Sequence, residues 1–160
     1  MNNAEDIPPV GLGTLLRALL TELEPAVEQA YATADPRMRS RYYPILRHLL
    51  IHEQASVGRI AAAVGVSQPA MTQTIRQMVD DGLLDVSPGA DRRARRVRMS
   101  EDGAAMVQEL RPVWRAVADA ARTLERDSGV AIHTALDTLL EALAEKDFAT
   151  RIAQAKGSNR

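Results

Sequence analysis

The chain has 160 residues, 46% of them hydrophobic but only 3% aromatic, no cysteine, and a formal net charge of −1. That length suffices for one domain, or one plus a helical extension, with a core built from Leu, Val, Ile, Ala and Met; the missing cysteine excludes disulfides, thiolate nucleophiles and thiol-based redox sensing. No apolar run approaches the about 20 residues that span a bilayer and no secretion signal is visible, so a cytoplasmic protein without membrane contact is expected.

Residues 1–10 are polar, contain Pro8-Pro9, and read as a loose arm. Leu12, Leu15, Leu16, Leu19, Leu23 and Val27 then recur at helical spacing, predicting a helix from Gly11 to about Tyr31. Pro25 should kink or break it, because proline removes one hydrogen bond and crowds the preceding turn. After an Ala34-Asp35-Pro36 turn, a second helix is predicted over Arg37–Gln54, with Tyr42, Ile45, Leu46, Leu49 and Leu50 inward and an awkward Pro44.

Ser56 to Val64 reads as a capped third helix with Val57, Ile60, Ala61 and Val64 inward, ended by Gly65 as a left-handed cap. Ser67 is the N-cap of a fourth helix running to Asp81, with Pro69 in its first turn, where a missing N–H costs nothing. Met71, Ile75, Met78 and Val79 are expected inward, which leaves Gln68, Thr72, Gln73 and Arg76 outward. Leu83–Ser87 and Arg95–Met99 read as two strands around an arginine-loaded turn begun by Pro88-Gly89.

Ser100 opens a long fifth helix with an apolar stripe of Val107, Leu110, Val113, Trp114, Val117, Ala121 and Leu124, interrupted by Pro112. One last helix is predicted after Asp127-Ser128-Gly129, carrying Ile132, Leu136, Leu139, Leu140, Leu143, Phe148 and Ile152, before a frayed 157–160 tail. The leucine stripes at the two chain ends exceed what the small middle module can cover. They pack either on one another in a monomeric bundle or on a second copy of the chain; two-fold dimers, the commonest oligomers, favour the second.

Charge is unevenly spread. Residues 1–36 carry a net of −5, residues 37–99 a net of +6 with every base an arginine, and residues 100–160 a net of −2. A local field of this kind outweighs the neutral total. An outward helix of amide, hydroxyl and guanidinium groups suits base edges in a major groove. An arginine-tipped hairpin suits backbone and minor groove.

The order and spacing from Ser56 to Gly103 resemble the MarR family of bacterial winged helix-turn-helix regulators. The likeness rests on Ala61 with Gly65, the Ser67 cap, Asp81-Gly82-Leu83-Leu84, Asp91-Arg92-Arg93-Ala94-Arg95, and Val97-Arg98-Met99-Ser100-Glu-Asp-Gly103. It implies a mainly α (α+β) fold, with a winged helix-turn-helix DNA-binding domain at 36–103 and a helical dimerisation domain built from 11–35 and 104–156. The partners it implies are double-stranded DNA with a palindromic operator and a second copy of the chain. Carried across, Ser67, Gln68, Pro69, Ala70, Thr72, Gln73 and Arg76 become contacts of the recognition helix. Arg93 becomes the minor-groove probe, flanked by Arg92 and Arg95 and held in shape by Asp91. Pro44 and Pro112 depart from helices that commonly run unbroken in the family.

In that family small phenolic or acidic effectors lodge between dimer helices and winged domain, which makes Tyr42, Tyr43, Arg47 and Trp114 candidate pocket residues. Their other reading is ordinary packing. His48 and His52, at i and i+4, could share a metal, yet no third ligand is apparent, so no metal or cofactor is expected. Gly11-Leu-Gly13 lacks the strand and remaining glycine of a nucleotide loop, and no nucleophile elbow or triad appears, so no enzyme is expected. The expectation is a homodimeric, ligand-responsive repressor; the alternatives are a metal-responsive regulator and a winged helix used for protein contact.

Overall fold

The computed structural model describes residues 9–88 and 95–158. Helix α1 spans Leu12–Ala34; a short 3-10 turn at Ser40–Tyr42 leads into α2, Tyr43–His52. Strand β1 is Gln54–Ser56, followed by α3 (Val57–Val64) and α4 (Gln68–Asp80). Strands β2 (Leu84–Pro88) and β3 (Arg95–Met99) precede α5 (Glu101–Ser128), α6 (Ile132–Glu145) and α7 (Phe148–Ser158). No described helix is long and apolar enough to cross a membrane.

The three strands form one antiparallel sheet in the order β1-β3-β2. Ala55 faces Val97, and Val97 faces Val86, along one row of the pairing. Ala55 and Val97 are both fully covered, so this row seats the sheet on the helices. Around it the core gathers Ile45, Leu46 and Leu49 of α2, Ile60 and Ala61 of α3, Met71, Ile75 and Met78 of α4, and Met106, Val107 and Leu110 of α5. Burying each such side chain contributes roughly 1.5–3 kcal/mol.

Several expectations are corrected. Pro25 and Pro112 lie inside helices that continue through them. Both prolines are exposed, as are Thr21 and Gln108 four residues before them, so a carbonyl that loses its helix bond there can be met by water. Pro44 sits in the first turn of α2, where no N–H is needed. The second helix is shorter than predicted at both ends, and its C-terminus is set by Glu53 at φ 56°, which swings the chain into the unforeseen strand β1. Leu50 and Val79 point outward, whereas Met38 and Met106 are buried.

The single last helix is in fact two. Lys146 is extended, and Asp147 restarts the chain by accepting the Thr150 N–H at 2.8 Å and its hydroxyl at 3.0 Å. Helix α7 then runs on through Gly157 to Ser158.

By compactness the chain divides into two units, one up to Arg115 and one from Ala116, with α5 running through the boundary. The first holds every buried hydrophobic residue described, from Tyr31 to Leu110. In the second, α6 has no buried residue.

The junction between α4 and α5 is tightly built. Ser100 donates its hydroxyl to the Gly82 carbonyl at 2.6 Å and accepts the Gly103 N–H at 2.9 Å, capping α5. A Cβ on Gly103 would stand 2.1 Å from the Leu83 carbonyl oxygen, so only glycine fits there.

Candidate nucleic-acid interface

Helices α3 and α4 form a helix-turn-helix whose corners are fixed by short-range bonds. Ser56 accepts the Arg59 N–H at 3.3 Å and starts α3. Gly65, at φ 76°, ends it with its N–H on the Ala61 carbonyl at 2.9 Å. Ser67 then accepts the Ala70 N–H at 3.4 Å and starts α4, with Pro69 in the first turn. Each of these residue types was chosen by the backbone conformation it must hold.

Along α4, Met71, Ile75 and Met78 are buried and the opposite face is exposed. Gln68, Pro69, Ala70, Thr72, Gln73 and Arg76 are all exposed, and among them Gln68, Thr72 and Arg76, at four-residue spacing, stack on one side with Gln73 beside them. The Thr72 hydroxyl donates to the Gln68 carbonyl at 2.8 Å. Its hydrogen is thus engaged, and what Thr72 offers outward is an acceptor oxygen and a methyl group. No carboxylate lies in the first turn of α4, so the positive end of the helix dipole is left open to an anion.

Thr72 and Arg76 also face the sheet, where with Val57, Ile75, Val79, Val86 and Arg95 they line a groove of about 180 Å³. Arg95 at the root of the hairpin is exposed and shares this groove with Arg76, so two guanidinium groups from different elements flank one channel. Arg98 is used differently. It pairs with Asp85, its register partner on β2, at 2.9 Å. Asp91, Arg92 and Arg93, at the expected tip of the wing, lie outside the described residues.

Residues 38–94 match the model of the MarR family. The likeness at the level of sequence lies in this segment, which runs from the 3-10 turn before α2 into the hairpin. Among solved structures, the M. tuberculosis transcriptional regulator MOSR in complex with DNA is 22% identical with a TM-score of 0.70, over 85% of this chain and 96% of that one. A mutant MarR from E. coli complexed with operator DNA is 17% identical with a TM-score of 0.67, over 84% and 94%. Bordetella bronchiseptica BpsR, described for regulation of DNA binding by 6-hydroxynicotinic acid, is 21% identical with a TM-score of 0.58, over 81% and 98%. At these identities the likeness establishes the fold alone, the winged-helix arrangement that this chain shares with those structures.

Of the four aromatic and cationic pocket candidates, Tyr43 and Arg47 come together and Trp114 touches Tyr43, while Tyr42 lies apart. Tyr43 and Arg47 line an open cleft of about 450 Å³ between α2 and α3, with Pro44, His48, Ile51, His52, Ala63 and Val64. Tyr42 is buried on another side, its hydroxyl donating to Asp81 Oδ2 at 3.1 Å. Trp114 meets Tyr43 edge-on at 5.1 Å between centroids. Sequence reading missed the apolar floor of the cleft, because Ile51 and Val64 look like ordinary helix positions.

His48 and His52 come together, their ring centroids 4.4 Å apart. Among the described residues no group of three or more His, Cys, Asp or Glu is placed to hold a metal. Burial, then the neighbouring His52 and Arg59, pushes the His48 imidazole below its ordinary pKa, so its neutral form is favoured.

Proposed function

We propose that this protein is a MarR-family regulator, a homodimer that binds a short inverted repeat in double-stranded DNA and represses transcription. Two α4 helices would enter major grooves about one helical turn apart, roughly 10 base pairs. Gln68, Thr72, Gln73 and Arg76 would read base edges, with Ser67, Pro69 and Ala70 at the point of entry. Arg92, Arg93 and Arg95 would hold phosphate and minor groove, with Asp91 ordering the wing. The observation that carries this reading is the exposed polar face of α4 beside Arg95, held on a buried row of Met71, Ile75 and Met78.

The dimer is supported by apolar side chains that one chain leaves in water, among them Leu12, Leu15 and Leu20 on α1, Leu140 on α6 and Phe148 on α7, all more than half exposed. The domains would then divide the labour, with 36–103 reading DNA and 11–35 and 104–156 pairing. The cleft beside Tyr43 and Arg47 would take a small acidic effector, an arginine and a phenol being a fit for a carboxylate.

Titrating the purified protein onto duplexes selected from genomic fragments, over a range of salt, tests this. A steep fall of log affinity with log salt is expected. Arg93→Ala should weaken binding to every duplex and flatten that slope. Arg76→Ala should relax choice at one or two base positions, by about 1–3 kcal/mol. Equal losses on selected and random duplexes in both variants would contradict the division of roles.

A further inference from the structure

The connector between α1 and α2 makes polar contacts in two directions at once. Toward α1, Ser40 donates its N–H to Glu28 Oε1 at 2.8 Å and its hydroxyl to the same oxygen. Toward α4, three side chains of the connector converge on the last turn. Arg41 Nη2 donates to Gln77 Oε1 at 3.0 Å, the Tyr42 hydroxyl donates to Asp81 Oδ2 at 3.1 Å, and Arg37 Nη1 donates to the Asp81 carbonyl at 3.4 Å.

Arg37 is itself held. Its Nε and Nη2 grip the two oxygens of Asp35 at 3.1 and 2.8 Å, and its N–H adds a third bond at 2.8 Å. Asp35 is buried, and its own N–H ends α1 on the Tyr31 carbonyl at 2.9 Å. A cation at the negative end of the α4 dipole is favourable, so the grip sits where the helix accepts it. A continuous polar strut thus runs from the C-terminus of α1 to the C-terminus of α4.

None of these residues is on the outward face of α4, yet all act on its pose. A 13-residue helix is about 20 Å long, so a tilt of about 5° at the gripped end moves the other end by nearly 2 Å. Base-edge hydrogen bonds tolerate only about 0.5 Å. We propose that Arg37, Arg41 and Tyr42 are positioning residues that set the docking angle of α4 through Gln77 and Asp81, transmitting displacements of α1 to the DNA-reading face. This rests on the DNA-binding function proposed above.

The test uses the full-length protein and a duplex that the wild type has selected from genomic fragments, beside variants of it with one base pair added or removed at the centre. Tyr42→Phe and Asp81→Ala should each lower the preference for the selected duplex over its respaced forms about tenfold, the worth of one charge-assisted hydrogen bond. Affinity for random duplex and the salt slope should not change. Asp81→Asn, which keeps an acceptor for Tyr42, should retain most of the preference.

Arg41→Gln removes an exposed side chain that folding does not need, and should show a smaller loss in the same direction. If Tyr42→Phe, Asp81→Ala and Arg41→Gln all discriminate spacing as the wild type does, or lose selected and random binding equally, the strut is only structural and the inference fails. If the wild type itself selects no duplex, the DNA-binding reading fails instead, and that outcome is read before any variant is made.

Discussion

The module up to Arg115 and the helices beyond it solve the hydrophobic problem in different ways. In the first, α2 to α5 bury their apolar stripes against a three-stranded sheet, and Met38, Leu46, Ile60, Met78 and Leu110 are wholly covered. In the second, α6 and α7 also carry apolar residues at helical spacing, yet Leu139, Leu140, Leu143, Phe148 and Ile152 all remain in water. Periodicity alone does not separate the two cases; both show apolar residues at three- and four-residue spacing. What separates them is whether this chain supplies the opposing surface. For α2 to α4 and the start of α5 it does; along α1, α6 and α7 apolar side chains are left in water, which the proposed dimer would cover.

The largest effect should come from attacking that surface. Leu140→Asp, alone or with Leu143→Asp, should convert the proposed dimer to a monomer in sedimentation equilibrium. It should weaken operator binding by about 10²-fold or more, since the second half-site is no longer tethered. The melting transition of the winged module should persist. A Leu140→Asp Leu143→Asp protein that remains dimeric would place the pairing surface elsewhere.

The next effect belongs to the winged module. Gly103→Ala drives a methyl group into the Leu83 carbonyl and should destabilise by about 3 kcal/mol in denaturant titration. Gly157→Ala meets nothing within 4 Å, and should leave stability unchanged or raise it by less than about 1 kcal/mol through helix propensity. Similar losses at the two glycines would erase the contrast between the regions.

The helix-turn-helix was legible because its signals are local. Ser56, Gly65 and Ser67 mark helix ends within three or four residues of the groups they satisfy, and the α4 pattern sorts buried from exposed residues without reference to the rest of the chain. What was not legible depends on distant partners. Strand β1 is three residues long and exists because Gln54–Ser56 meets Arg96–Arg98, 40 to 44 residues away. The Tyr42 hydroxyl was read as a pocket group, yet it is committed to Asp81, 39 residues on. The break between α6 and α7 is different, since Asp147 with Thr150 is a readable cap that the surrounding apolar period obscured.

Smaller effects test the local signals. Ser67→Ala should cost about 1 kcal/mol in chemical denaturation, the usual worth of an N-cap, with Ser67→Gly costing only a few tenths. Because the cap also orders the start of the reading helix, Ser67→Ala should weaken operator binding beyond what the stability loss explains. A loss of stability with unchanged affinity would separate the cap from the interface.

The smallest effect expected is on the pH dependence of melting, where two kinds of group act in different windows. His48 is held below its ordinary value of 6.5, so the unfolded chain takes up a proton there that the fold resists. Stability is therefore full above that pH and declines as pH falls from 6.5 through the lowered folded value. Asp35 and Glu28 are lowered by hydrogen bonds, from Arg37 and from Ser40 respectively. Their contribution is present above the ordinary carboxylate values of 3.8 and 4.5, and is lost as pH falls through the depressed ones. The melting temperature should thus fall in two stages on acidification. His48→Phe should remove the first stage, because no imidazole remains at position 48 to protonate on unfolding. Asp35→Asn should remove part of the second and lower stability at neutral pH, where the carboxylate and Arg37 are both charged. A first stage that persists unchanged in His48→Phe would contradict its assignment to His48.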